Sequence, residues 1–129
     1  MLRVLDSTVL IDYLRGRPAV ARIASLRDLG DVPATTALNV EEIVRGLKPT
    51  EAAAAGMLFS GLVVLPIERA SAWQAGVWRR EFASRGTTLS QADCLIAATA
   101  AAHGASLATG NPKDFPIPEL DVTYWPVGQ

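Results

Sequence analysis

The chain has 129 residues, half of them hydrophobic, with 13 acidic and 12 basic side chains, one Cys and one His. That length suits one domain with a core of its own, and a formal charge of -1 excludes the broad cationic surface of a non-specific nucleic-acid binder while leaving room for a local basic patch. A single Cys excludes an internal disulfide, and one His with one Cys excludes a zinc site of imidazoles and thiolates.

Leu2 to Leu5 reads as a short strand ending at Asp6, and Ser7-Thr8 can cap a helix to Leu14 that Gly16-Arg17-Pro18 terminates. A second helix follows from Pro18 to about Leu29, stopped by Gly30, and Asp31 to Ala34 is a brief strand. Ala37 to Leu47 places Val40, Ile43, Val44 and Leu47 on one stripe, the pattern of an amphipathic helix closed by Gly46 and Pro49. Thr50 is placed to cap a helix to Ser60, and Leu62 to Leu65 is an apolar strand. Ile67 to Arg85 forms a long helix whose Trp73 and Trp78 are expected in the core, and Ser90 opens another helix that runs to Gly104 and buries Cys94 as a small hydrophobe. Ser106 to Thr109 and Val122 to Tyr124 complete the strands.

Strands alternating with helices imply an α/β fold, one domain over residues 1–129 with a mostly parallel, short-stranded sheet flanked by helices on both faces. In such sheets chemistry gathers beyond the carboxyl ends of the strands. No apolar run approaches the length of a membrane span, and the expectation is a soluble cytoplasmic protein.

Carboxylates dominate the remaining chemistry. Cys94 and His103 lie nine residues apart in one helix, about 13 Å along its axis and on opposite sides, so they form no dyad. Neither a nucleophile elbow nor a P-loop occurs. Asp6, directly after the first strand, is a cap or a ligand, and Asp12 reads as a solvated helix residue. Asp93 completes a capping-box pattern with Ser90; Glu41 or Glu42 can pair with Arg45; Asp114 and Asn111 suit a turn after a strand. Two of these acids follow strands, and two occupy helices able to converge on the same sheet edge. Clustered carboxylates suit a hard cation such as Mg²⁺ or Mn²⁺. Drawn to about 5 Å they repel by roughly 3 kcal/mol per pair at an effective dielectric of 20, which a bound cation would neutralise.

The segments Val4-Leu-Asp6-Ser7-Thr8-Val-Leu-Ile-Asp12-Tyr-Leu-Arg-Gly16, Glu42-Ile-Val-Arg-Gly46, Leu89-Ser90-Gln-Ala-Asp93-Cys-Leu-Ile-Ala-Ala98 and Leu107-Ala-Thr109-Gly-Asn111-Pro-Lys-Asp114-Phe115, in that order, closely resemble the PIN-domain proteins, specifically the VapC-type toxins of bacterial toxin–antitoxin pairs. The resemblance implies a metal-dependent ribonuclease. It selects Glu42 over Glu41 and matches Asp6, Glu42 and Asp93 to the family's acidic triad and Asp114 to its fourth acid, with Asp6 and Asp93 as the pair most directly holding Mg²⁺ or Mn²⁺. Asn111 shares or replaces the role of Asp114, and Thr8, with Ser7, matches a supporting hydroxyl. A cation held this way activates water for attack on a phosphodiester, with Asp114 or Glu42 accepting the proton.

The partners implied are an RNA substrate, a cognate small antitoxin and a second copy of the chain, without a membrane. Ile11, Leu14, Val20, Ile23 and Leu26 on the first two helices suggest an antitoxin groove. Arg15 with Arg17, and Arg79-Arg80 with Arg85, read as phosphate contacts or as a solvated face. The alternative function is a PIN-fold binding module without turnover that holds a partner protein in its acidic pocket.

Overall fold

The five strands are β1 (Leu2–Leu5), β2 (Val32–Thr36), β3 (Val63–Leu65), β4 (Ser106–Thr109) and β5 (Val122–Tyr124), all paired in parallel in the spatial order β3-β2-β1-β4-β5. A computed structural model describes residues 1–16 and 18–128; Arg17, offered above as a phosphate contact, lies outside the described residues. The helices are α1 (Ser7–Leu14), α2 (Ala19–Asp28), α3 (Ala37–Arg45), α4 (Ala52–Ser60), α5 (Arg69–Ser84) and α6 (Gln91–Ala102). Among the described residues no helix is long and apolar enough to cross a membrane.

Strand residues alternate between faces, and the sequence fills both with apolar side chains. Val4 and Leu107 enter one buried cluster with Trp78, Ile96 and the alanines of α6. Their neighbours Leu5 and Ala108 enter the other, with Val9, Leu10, Ile23, Ile43 and Trp125. The expected α/β sheet covered on both faces is therefore present, and every pairing in it is parallel. Gly86 and Gly104 follow α5 and α6 with φ of 84° and 62°, the left-handed conformation that only glycine adopts without strain.

Two expectations fail locally and a third is narrowed. Thr50 caps nothing; it sits in a 3-10 turn, Pro49–Glu51, where the Lys48 amide is received by Glu51 Oε1 at 2.8 Å. Trp73 is 74% exposed while Trp78 is buried, because α5 turns only one face to α6 and the core. On the first two helices Ile23 and Leu26 belong to the core, and only Ile11 and Val20 are substantially exposed, at 40% and 41%.

The topology fixes where a site can form. From β1 the chain builds outward through β2 to β3, then returns to the other side of β1 to place β4 and β5. The reversal leaves a crevice beyond the carboxyl ends of β1 and β4, the switch point at which open α/β sheets bind ligands.

Candidate active site

Parallel register brings three polar residues level at that edge. Leu5 aligns with Ala108 of β4, and Val4 with Ala34 of β2, so Asp6, Thr109 and Thr36 lie side by side one or two steps on. Helices that directly follow parallel strands start at the same edge, as α1 and α3 do after β1 and β2; α6 follows α5 instead, and its first turn, carrying Asp93, also reaches this edge, so all three point their positive dipole ends at it. Carboxylates placed there are stabilised by orphan backbone amides.

Asp6 occupies the N-cap position of α1 yet makes no side-chain capping bond. Its carboxylate is held from both sides instead. Thr109 Oγ1 and Thr8 Oγ1 donate to Oδ2 at 2.8 and 3.2 Å, and Asn39 Nδ2 donates to Oδ1 at 3.4 Å. Burial raises its pKa in spite of these hydrogen bonds, which act in the opposite direction. A buried carboxylate costly to ionise is the kind of group a bound cation relieves.

Asn39 links Asp6 to the third helix. It is fully buried and forms a capping box with Thr36, whose hydroxyl donates to Asn39 Oδ1 at 2.7 Å. With its oxygen occupied by Thr36, the amide nitrogen faces Asp6 and also donates to Ser7 Oγ at 3.0 Å. Ser7 in turn donates to Glu42 Oε1 at 2.9 Å. The adjacent Glu41 points elsewhere and pairs with Arg45 at 2.9 Å on the exposed face.

Asp93 sits at the third position of α6. Ser90 Oγ accepts the Asp93 amide at 3.0 Å, but the carboxylate returns no capping-box bond to Ser90 and remains half-buried toward the crevice. Burial is the main cause raising its pKa, opposed by Ser90 and reinforced by the negative charges of Asp114, Asp6 and Glu42. The other three acids singled out from the sequence therefore all act electrostatically on Asp93 at this edge. Asp114 is exposed and accepts from Asn111 Nδ2 at 2.6 Å, while the Asn111 amide donates to Thr109 Oγ1 at 3.0 Å. Asn111 thus orients Asp114.

Among the described residues none of the four acids is ion-paired with Lys, Arg or His. Nor are three carboxylate, imidazole or thiolate groups drawn closely enough together to hold a metal ion with the side chains as they stand. The donor set, carboxylates and hydroxyls without accessible thiolate or imidazole, has the chemistry of a Mg²⁺ or Mn²⁺ site.

Sequence reasoning passed over Asn39, although its spacing from Ile43 put a polar residue on the buried stripe of α3 and three residues after a Thr. It also misplaced Asp12. That residue is 3% exposed rather than solvated, because its carboxylate accepts the amides of Ala19 and Gly128, each at 3.0 Å.

A sequence model of the PIN domain matches residues 3–117. Ribonuclease VapC19 of Mycobacterium tuberculosis is 34% identical over 125 residues, covering 95% of this chain and all of that protein. The fold superimposes with a TM-score of 0.85 on a chain of VapBC2 from Rickettsia felis bound to a promoter DNA fragment, at 22% identity and over 97% of this chain and 99% of that one. A chain of DNA-bound VapBC from Salmonella typhimurium gives 0.84 at 26% identity, with the same coverage of each chain.

Proposed function

The chain belongs to the PIN-domain family and within it to the VapC-like proteins, and from that premise we propose that it is a metal-dependent endoribonuclease, the toxin of a VapBC-type toxin–antitoxin pair, acting as a single domain on cytoplasmic RNA. The observation that carries this reading is the convergence of Asp6, Glu42, Asp93 and Asp114 at the switch point with no cationic side chain paired to them among the described residues. Such a grouping of like charges is stabilised by a cation.

Asp6 and Asp93 would hold the ion. When bound, Mg²⁺ or Mn²⁺ offers charge stabilisation to a phosphodiester and acidifies water. Asp6 is kept in place by Thr8, Thr109 and Asn39, whereas Asp93 and Glu42 are only partly buried and Asp114 is exposed, so these three would have to turn their side chains to reach a bound ion. Glu42, oriented by Ser7, or Asp114, oriented by Asn111, accepts the proton of the attacking water. The partners in this reading are a cognate small antitoxin and a second copy of the chain.

Incubating total RNA or transfer RNA with the protein and Mg²⁺ or Mn²⁺ tests the proposal. Cleavage is expected from the wild type and not from Asp6→Asn or in excess EDTA, with circular dichroism showing the variant folded. Equal cleavage by the variant, or cleavage undiminished in EDTA, overturns it. Tight antitoxin binding without cleavage of any RNA pool would make the protein a binding module.

A further inference from the structure

Beyond β5 the chain crosses the end of β4, where Trp125, Pro126 and Gly128 are each held by a hydrogen bond. Trp125 donates its amide to the Thr109 carbonyl at 2.8 Å and packs its indole in the cluster holding Leu5, Val9, Ile23 and Ala108. The Pro126 carbonyl accepts from the Arg22 guanidinium. Gly128 donates its amide to Asp12 Oδ1, and Asp12 Oδ2 accepts the Ala19 amide that opens α2. Asp12 is a buried carboxylate whose hydrogen bonds are both to backbone amides, in a position where an unpaired charge is strongly disfavoured. It ties the tail to the α1–α2 junction.

Val127 is the part of this segment that faces the site. A Cβ added to Gly110 would lie 2.9 and 3.0 Å from the two Val127 methyls and 3.4 Å from Thr8 Oγ1. The valine methyls and the Thr8 hydroxyl therefore together fill the space beside Gly110 that a side chain would take. The Gly110 amide donates to Thr8 Oγ1 at 2.9 Å, and that hydroxyl, with Thr109 Oγ1 beside it at 3.4 Å, donates to Asp6. A continuous set of contacts runs from Asp12 through Gly128, Val127, Gly110 and Thr8 to Asp6.

We propose that Trp125–Gly128 is a strap, anchored by Asp12, whose Val127 packs beside the Gly110 corner next to Thr8 and so holds the Thr8 and Thr109 hydroxyls on the Asp6 carboxylate; Asp12 and Val127 are positioning residues. Their effect on catalysis rests on the reading of Asp6 as a metal ligand, while their effect on the Gly110 corner does not. Removing groups that orient a ligand typically costs 10–100-fold in metal affinity, which sets the expected scale.

Amide hydrogen exchange at Gly110 and Asn111, read by NMR without metal, tests the strap directly. Val127→Ala and Asp12→Asn are expected to speed exchange at both amides about tenfold or more, because the hydroxyl acceptors lose their fixed positions. Calorimetric titration with Mn²⁺ alone is expected to show about tenfold weaker binding, and RNA cleavage a lower kcat at nearly constant KM. Gly110→Ala should behave like Val127→Ala, and the double variant Gly110→Ala with Val127→Ala should recover most of the loss, since removing the two methyls makes room for the new Cβ. Val127 is 37% exposed, so its alanine variant keeps the fold and decides the matter even where Gly110→Ala does not fold. Unchanged exchange at both amides in Val127→Ala, or no recovery in a folded double variant, overturns the strap. A wild type that cleaves no RNA overturns the ribonuclease reading and leaves the exchange result standing on its own.

Discussion

Asn39 shows how much of the site depends on a residue without a charge. Its oxygen is committed to Thr36 and its nitrogen to Asp6 and Ser7, so one amide sets the orientation of two polar groups and closes the first turn of α3. Asn39→Ala leaves Thr36, Ser7 and one Asp6 oxygen short of a partner in a buried setting, which should cost about 2 kcal/mol in a urea titration. A loss below about 0.5 kcal/mol would mean that other groups take over its hydrogen bonds. Asp93 bears the opposite relation to stability. Burial raises its pKa above the ordinary aspartate value of 3.8, with Asp114, Asp6 and Glu42 adding to the rise, so the folded chain keeps a proton that the unfolded chain releases. Its contribution to stability therefore falls as pH rises from about 3.8 through the folded-state value, and is level above it. Asp93→Asn should flatten that part of the stability–pH curve and, without metal, melt no lower than wild type at pH 7. Melting well below wild type would show that the carboxylate is engaged in a favourable contact of its own. The acids themselves were legible because a charge after an apolar run stands out in a sequence. Asp12 was misread because its partners are backbone amides 7 and 116 residues away, which no side-chain pattern announces.

At the scale of elements, helix ends carried the clearest signal. Gly30, Gly86 and Gly104 each follow a helix within two residues of where the sequence places its end, since a left-handed turn demands glycine. Ser90 begins α6 as its spacing to Asp93 requires, and the cap has a second consequence: it fixes the backbone that carries Asp93 toward the crevice. Ser90→Ala should lower stability by about 1 kcal/mol through the lost cap, measured as a lower urea midpoint at unchanged m-value. It should also weaken Mn²⁺ binding, because the first turn of α6 frays where the acid is attached. Normal Mn²⁺ affinity in a destabilised variant would confine the role of Ser90 to the helix. Trp73 and Trp78 were less legible: they are five residues apart, far enough around α5 that burying one exposes the other, and apolarity alone does not say which faces α6 and the core.

For the whole molecule, the strand order β3-β2-β1-β4-β5 gathers the site from four distant stretches of chain. Alternation of strands and helices made a parallel sheet legible, but the order of its strands is a property of long-range packing, and with it the meeting of Asp6 and Thr109 across 103 residues. The same order sets a cost. Four acids are held at one edge with no cationic side chain paired to them among the described residues, so the fold carries an electrostatic penalty that a cation bound there would relieve. Ligand that binds the folded chain alone adds RT ln(1 + [L]/Kd), or about 2.7 kcal/mol at one hundred times Kd. With an unfolding entropy near 2.1 cal/mol/K per residue, a chain of 129 residues gains roughly 10 °C in Tm from that amount. Thermal melts with saturating Mn²⁺ should show this rise for wild type, should lose most of it in Asp6→Asn and Asp93→Asn, and should keep it in Glu41→Gln, whose carboxylate faces Arg45 on the exposed side of α3. Equal rises in all four proteins would mean that the ion binds somewhere other than the switch point.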